Sequence, residues 1–574
     1  MTFFRMMIAT VLVALAVLLP ASGASAAAPG ELDPTFGVGG KVQAPLGPES
    51  FGGGVAVQAD GKILTVGTPG GSEGFSVARL LSNGSPDPSW GEGGVVTTHL
   101  GKFASAFDVA VQPDGKIVVV GEAPGAKNED FAIVRYLSNG KLDPSFGEGG
   151  IVILPVGEFG DQGRVVAIGP GGRIAVVGIS DLASFRDAVG VAMLESNGTP
   201  EAAFAGDGTT VLQTESGEDD RGEGVDFQPD GKIVIADSTG AGIGDGFTLI
   251  RLGLDGKPDP SFGSEGVVET PIPGEGGVEE GRISDVVVQP DGKIVGGGYG
   301  VDSVGVTMET VIKFELVRYL SNGELDPSFG SGGFVGVRLP SPFSFGRKLA
   351  LDANGKLILG GTYDANPNPL EENEAPALMR FNPNGSLDSS FGKGGTVIGA
   401  LGAGIEEESI EGLALQPDGK IVTSGSRFAE PGGSSVVVSR YIADFEKPPV
   451  PVPPKKVNLP PHSGIKGVPH KVQQEALKGF HGTASDPDGT VSKVQVSLVR
   501  LPSGGKAGTS VKVKPKKWRT AKGTAKWTLK LKRPLAPGRY VVFSRAIDNQ
   551  DLAETEFSRR AGNRRAFRVV AKAR

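Results

Sequence analysis

The chain has 574 residues, 39% of them hydrophobic, with 91 Gly and 42 Pro, a load of turn formers that points to short strands rather than long helices. Cysteine is absent, which excludes a disulfide framework, a thiolate metal site and a cysteine nucleophile. The net charge of −8 conceals a division, roughly −29 before Lys447 and roughly +21 from it onward, and such asymmetry suggests two units with different partners.

Met6 to Pro20 form an apolar run behind Arg5, followed by Ala24-Ser25-Ala26, the small-x-small pattern of a secretory cleavage site. A signal peptide over 1–26 is expected, so the mature chain is expected to be secreted or held at the cell surface. A retained membrane anchor needs about 20 apolar residues, more than this run offers, so no transmembrane segment is expected after signal removal. No Cys follows the run, which argues against a lipid anchor.

From residue 32 to residue 442 three phrases recur in fixed order. In the unit beginning at Pro88, Val95-Val96, Val109 to Gln112, Lys116 to Val120 and Phe131 to Tyr136 read as four short strands, rich in β-branched and aromatic residues and bounded by turns. Pro113-Asp114-Gly115 supplies a preset φ, a capping carboxylate and a residue tolerant of positive φ. The turn returns at Asp60-Gly61, Pro229-Asp230-Gly231, Pro290-Asp291-Gly292, Asn354-Gly355 and Pro417-Asp418-Gly419, with a degraded copy at Pro170-Gly171-Gly172. Phe36, Trp90, Phe146, Phe204, Phe262, Phe329 and Phe391 mark seven aromatic-Gly turns. Four antiparallel strands in each of seven units predict a closed seven-bladed β-propeller, with an open solenoid as the alternative. The chain starts with the turn that its last unit lacks, so residues 32–42 are expected to meet the end of the seventh unit and close the ring.

These phrases resemble the delta-60 repeat family of β-propellers, whose function is not established. The resemblance implies the fold and brings no catalytic residues with it.

Within the repeat, Arg79, Arg135, Arg251, Arg318 and Arg380 are each followed eight residues later by Asp87, Asp143, Asp259, Asp326 and Asp388. The third unit changes both partners together, to Met193 and Glu201. This predicts a structural Arg–Asp bridge, with Asp33 as the partner of Arg440 once the ring closes.

Topology sorts the loops into a uniform face, which carries the Pro-Asp-Gly turns, and a variable face, where recognition is expected. The variable face is acidic. Glu218, Asp219 and Asp220 stand in one loop, Glu279 and Glu280 in a second, and Glu406, Glu407 and Glu408 in a third, and these are the candidate binding residues. No cofactor is expected, although clustered carboxylates could hold Ca²⁺; none of the loops has the spacing of a known calcium loop. A solubilising rim is the simpler reading. Catalytic residues are unassigned: only His99 among the histidines lies in the repeats, and no phosphate-binding Gly-Lys-Ser/Thr is present.

Residues 446–461 form a Pro-rich linker, expected to be extended and stiff. Beyond it Val494, Val496 and Leu498 alternate with polar residues, as do Trp527, Leu529 and Leu531, which predicts a small β-sandwich over 462–574. Ala484 to Gly489 and Pro537-Gly538-Arg539-Tyr540 before Ala546-Ile547-Asp548 resemble bacterial immunoglobulin-like modules of surface proteins. Lys514, Lys516, Lys517, Arg519, Arg564 and Arg565, interleaved with Trp518 and Trp527, form a candidate basic patch. After export its expected partner is an anionic envelope surface rather than nucleic acid.

The sequence therefore reads as an all-β secreted or cell-surface binding protein. Its propeller over 27–445 would meet an extracellular polymer or protein ligand, and its basic module would associate with the envelope. The alternative is an extracellular propeller hydrolase or lyase acting on carbohydrate, phosphoester or lactone, possible with calcium assistance.

Overall fold

The computed structural model describes residues 27–443 and, in the tail, 462–570, with short interruptions in both; the expected signal peptide and Pro-rich linker lie outside the described residues. Among the described residues the protein is all-β, and no helix is long and apolar enough to cross a membrane.

Six sheets each consist of four consecutive antiparallel strands. The second is typical: Ser105–Val111, Ile117–Pro124, Glu129–Tyr136 and Ile151–Leu154 pair in chain order. Its middle strands are buried almost throughout because a neighbouring sheet covers each face. Such strands read as continuous apolar runs, here Ile117-Val118-Val119-Val120, rather than as alternation. The Gln112–Lys116 turn is closed by the Gly115 amide on the Gln112 carbonyl at 2.8 Å, with Gly115 at φ +83°. A strand such as Val95–His99 pairs backwards with Gly74–Leu80, so sheet and sequence repeat are offset by one strand.

The first strand of each sheet is its inner strand. These are Phe51–Val57, Ser105–Val111, Asp161–Ile168, Asp220–Phe227, Gly281–Val288 and Ser344–Leu351 in sheets one to six. Each packs against the inner strand of the next sheet, and the last meets Gly412–Leu415, which in turn meets the first. This is the radial arrangement of a β-propeller.

The offset leaves the first strand without a partner in its own sheet. Lys41–Gln43 instead pairs with Gly433–Tyr441, setting Lys41 opposite Ser439 and Gln43 opposite Val437, and completes a closing sheet from the two ends of the repeat region. The closing sheet also joins the first sheet through Ser424 Oγ, which donates to the Gly53 carbonyl at 2.7 Å. The expected closure by residues 32–42 is what the strand pairing shows.

The Arg–Asp pairing recurs as a hub. Arg79–Asp87 lies at 2.9 Å, Arg135–Asp143 at 2.9 Å, Arg251–Asp259 at 3.0 Å, Arg318–Asp326 at 2.8 Å, Arg380–Asp388 at 2.8 Å and Arg440–Asp33 at 2.8 Å. Each guanidinium lies over the aromatic ring of its turn, as Arg135 over Phe146 at 4.4 Å and Arg440 over Phe36 at 4.6 Å, a geometry that adds cation–π attraction. It also reaches the neighbouring unit, where Arg135 donates to the Ser196 carbonyl and Arg440 to that of Ser82. A Lys two residues beyond the hairpin Asp joins the same carboxylate, as Lys116–Asp143 at 3.3 Å and Lys420–Asp33 at 3.0 Å. In the third sheet the partners are exchanged: Met193 is buried, and Arg173, standing in the Lys position, binds Glu201 at 2.7 Å.

His462–Lys466, Gly479–Ser485 and Lys526–Lys530 form one sheet; Lys471–Gln473, Arg564–Val570, Gly538–Asp548, Val491–Arg500 and Trp518–Thr520 form the other, in that spatial order. Phe480, Val494, Val496, Trp527, Leu529 and Val542 share one core. Trp527 is therefore a core residue, not part of a basic surface, while Trp518 lies under the Arg545 guanidinium at 4.4 Å.

Candidate functional site

The free edges of the inner strands line the axis of the ring, and each of the six strands carries a register shift there. The shifts fall between Gly52 and Val55, Ala106 and Asp108, Gly163 and Val165, Gly222 and Gly224, Ile283 and Asp285, and Gly346 and Lys348. A bulge leaves one residue unpaired and re-aims its side chain. The residues so released include Phe107, Arg164, Glu223, Ser284 and Arg347, and Glu411 stands in the matching break of the closing sheet, between Ile405–Glu408 and Gly412–Leu415.

These groups meet between sheets. Arg164 pairs with Glu223 at 3.5 Å, and Arg347 approaches Glu411 at 3.9 Å. Just past the bulge come Asp108, Asp285 and Lys348. Asp108 accepts the amides of Val109 at 2.8 Å and Val166 at 3.0 Å; Asp285 accepts those of Val286 at 2.9 Å and Leu349 at 2.9 Å. Asp226, two residues further past its bulge, accepts the Phe227 and Val288 amides at 2.7 and 2.8 Å. Each carboxylate thus ties its own inner strand to the next. Gly54 makes room for Asp108, since a Cβ there would lie 2.0 Å from Asp108 Oδ1.

Burial dominates the titration of these acids. Desolvation pushes Asp108 up to about 6, against Lys348 and two amides that favour the anion, and it pushes Asp226 to about 6. Lys348 is desolvated too, yet Asp285, Asp108, Glu223 and Glu411 outweigh that cost and raise its pKa. Those four acids come from the fifth, second, fourth and closing sheets, so Lys348 senses carboxylates around the whole channel. It forms no ion pair within 4.0 Å among the described residues.

The acids expected on the variable face have other surroundings. Asp220 is fully buried and accepts both the amide and the hydroxyl of Thr214 at 2.7 Å. Asp161 does the same work at the equivalent position of the third sheet, accepting the Val156 amide at 2.8 Å. Glu408, equivalent again, is buried between Lys41 at 2.6 Å and Arg427 at 3.1 Å. Asp219 accepts the Asp187 amide at 3.1 Å. Glu280 and Glu407 are half-buried. Glu218 and the side chains of Glu279 and Glu406 lie outside the described residues, as do Lys514, Lys516 and the side chains of Arg564 and Arg565. Lys517 and Arg519 are exposed. Among the described residues no three acidic or histidine side chains are placed to hold a metal ion.

Aromatic side chains border the end of the channel where the chain enters the inner strands. Phe51, Phe103 and Phe159 are 53%, 66% and 40% exposed, whereas the aromatic residues of the seven turns are all fully buried. Phe103 adopts φ +67°, a left-handed conformation costing a side-chain-bearing residue about 1–2 kcal/mol and concentrated at functional sites. Phe51 lies 6.1 Å from Phe428, and Tyr299 meets Phe345 edge-on at 5.1 Å.

The channel residues were hidden in the strands rather than the loops. The available signal was a column five residues before the repeat Gln, where Phe107, Arg164, Glu223, Ser284, Arg347 and Glu411 replace one another beside near-uniform neighbours.

Residues 58–89, 112–146, 228–262, 289–329 and 353–391 match the family model described as "Domain of unknown function (DUF5122) beta-propeller", a propeller repeat without an assigned role. No curated protein matches the chain. Among solved structures, a protein of unknown function from Dyadobacter fermentans is similar at 10% identity and TM-score 0.37, over 70% of this chain and 98% of that one. The polysaccharide lyase Uly1 is similar at 13% identity and TM-score 0.39, over 71% and 92%. A gluconolactonase from Xanthomonas campestris is similar at 12% identity and TM-score 0.30, over 70% and 89%.

Proposed function

We propose that the chain is an exported, non-enzymatic binding protein in which a seven-bladed propeller, residues 27–445, holds an extracellular ligand at the mouth of its axial channel. One observation carries this reading: charged side chains released by bulges on separate inner strands converge on the axis, with the Lys348 ammonium left without a direct partner. Bulges recur next to sites where a side chain must be aimed. The variable-face acids remain part of the proposed approach surface through Asp219, Glu280 and Glu407. In the test, Ser284→Trp fills the channel at a bulge position. A glycan and small-molecule binding screen on the mature chain should then lose its hits while the melting temperature stays within a few degrees. Undiminished binding would place the ligand elsewhere.

The alternative, an extracellular hydrolase or lyase, is favoured by the carboxyls of Asp108 and Asp226, which titrate near 6, a value suited to general acid–base work. Turnover of any screened glycan, abolished by Asp108→Asn with binding retained, would establish it. Calcium belongs to the same test, through comparison with and without chelator.

For the tail, residues 462–574 after the 446–461 linker, we propose an immunoglobulin-like module that associates with an anionic envelope surface. The two-sheet strand order and the Tyr540 hydroxyl, which donates to the Ala536 carbonyl at 2.9 Å, support the fold assignment. Exposed Lys517 and Arg519 support the surface role. Association with envelope material should fall steeply between low and high salt; salt-independent capture would sink the idea.

A further inference from the structure

We infer that the sector of the channel mouth built by the fifth and sixth sheets is a carboxylate-binding site for an acidic saccharide. The inference rests on the channel reading above and names its ligand class. The sector consists of Arg282 on Gly281–Val288, Tyr299 on Ile294–Val304, and Phe345, Arg347 and Lys348 on Ser344–Leu351. Arg282 and Tyr299 face each other across their strands, and Phe345 closes on Tyr299 at 5.1 Å and 85°.

Three cations on two adjacent inner strands are poorly matched by protein. Neither Arg282 nor Lys348 has an ion pair within 4.0 Å among the described residues. Arg347 reaches Glu411 only at 3.9 Å, and its Nε is buried without a hydrogen-bond partner. The acids nearby are largely engaged: Glu223 by Arg164, Asp285 and Asp108 by backbone amides. Glu280 and Glu411 are the two that remain.

The half-buried Arg347 guanidinium, with its Nε unpartnered, carries a desolvation cost that an incoming anion offsets. A guanidinium fork matches the two oxygens of a carboxylate. The saccharide part of the assignment comes from the rings. Tyr299 has a hydroxyl with no hydrogen-bond partner among the described residues, and the charges of Arg282, Arg347, Glu280 and Glu223 act on it. Its hydroxyl suits a sugar hydroxyl, while the Phe345 ring offers an apolar surface to the carbon-bound hydrogens of a sugar ring. Exposed Phe51 and Phe103 across the mouth extend that surface for a longer chain.

Calorimetry on the mature chain with digalacturonate, its dimethyl ester and succinate tests the inference. Digalacturonate should bind at least tenfold tighter than either other probe. Arg282→Gln should weaken it at least tenfold, Arg282→Lys less, and Lys141→Gln, an exposed cation on the uniform face, less than twofold. Thermal melts of each variant separate lost binding from lost folding. Equal binding of the ester removes the carboxylate from recognition, and equal binding of succinate removes the sugar. An equal loss in Lys141→Gln reduces the site to the general field of the protein. If digalacturonate fails to bind while a neutral glycan binds and is blocked by Ser284→Trp, this inference falls and the channel reading stands. If no ligand is blocked by Ser284→Trp, both fall.

Discussion

The two ends of the inner and second strands follow different rules. At the hairpin end, Arg, Asp, Lys and an aromatic ring repeat from sheet to sheet with ion-pair distances that vary by a few tenths of an ångström. At the bulge end, no two neighbouring sheets present the same side chain to the axis. The hairpin end solves one problem six times, the joining of a sheet to its neighbour. The third sheet shows that the solution concerns charge and not identity, since Arg173 and Glu201 replace the usual pair with both roles moved. The bulge end is free to differ because Asp108, Asp226 and Asp285 tie the strands through backbone amides, which leaves the remaining positions unconstrained by assembly.

The contrast can be broken most severely at the closing sheet. Deleting residues 31–42 removes Asp33 from Arg440 and Lys420 and strips the outer strand from Gly433–Tyr441. Differential scanning calorimetry should record a fall in melting temperature of ~10 °C or more; an unchanged melt would mean that the ring does not depend on its clasp. Next comes Arg135→Met, which leaves the buried Asp143 carboxylate with Lys116 as its remaining cation and should cost about 3–5 kcal/mol in denaturant unfolding. Adding Lys116→Arg and Asp143→Glu rebuilds the third-sheet arrangement and should recover most of that loss. Failure to recover would mean that the third sheet has a separate source of stability.

The two ends also respond oppositely to pH. Burial alone would raise Asp33 and Asp143, but the side-chain and amide hydrogen bonds of Thr35 and Ser145, with Lys and Arg, hold both at about 2. Their contribution is present above the unfolded value near 3.8 and is lost as pH falls toward 2. Asp108 and Asp226, raised to about 6, bind protons more tightly when folded, so the stability they confer is present below the unfolded value and is lost as pH rises through 6. Unfolding free energy should therefore peak near pH 4 and decline from there to about pH 6. A peak above pH 7 would contradict the assignment of both groups. The smallest effect is expected for Arg164→Ala. Its pair with Glu223 is about one-third exposed and should change stability by under about 1 kcal/mol, while any ligand in the channel should sense the loss.

Sequence alone revealed the hairpin end almost in full. Arg and Asp eight residues apart, and their joint replacement by Met193 and Glu201, identify the bridge because a pair changed together betrays contact. The chain beginning with the missing turn announces its closure. The channel was illegible because a bulge shifts register by one residue, and periodic reading of Ala106 to Val111 does not reveal which side chain is released. For the same reason, Asp220 and Glu408 resemble surface acids in a list of loop residues. Only their shared position with Asp161, seven residues before the end of the inner strand, exposes them as buried supports of the crossing between sheets.

The clasp also orders events in time. Asp33 and Arg440 are 407 residues apart, so during synthesis at roughly 5–20 residues per second the first strand waits about 20–80 seconds for its partner. Through that interval both the early strand and the growing row of sheets carry unpaired edges, the feature that invites misassembly. A chain halted before Gly433 would remain an open arc, however well its individual sheets had formed.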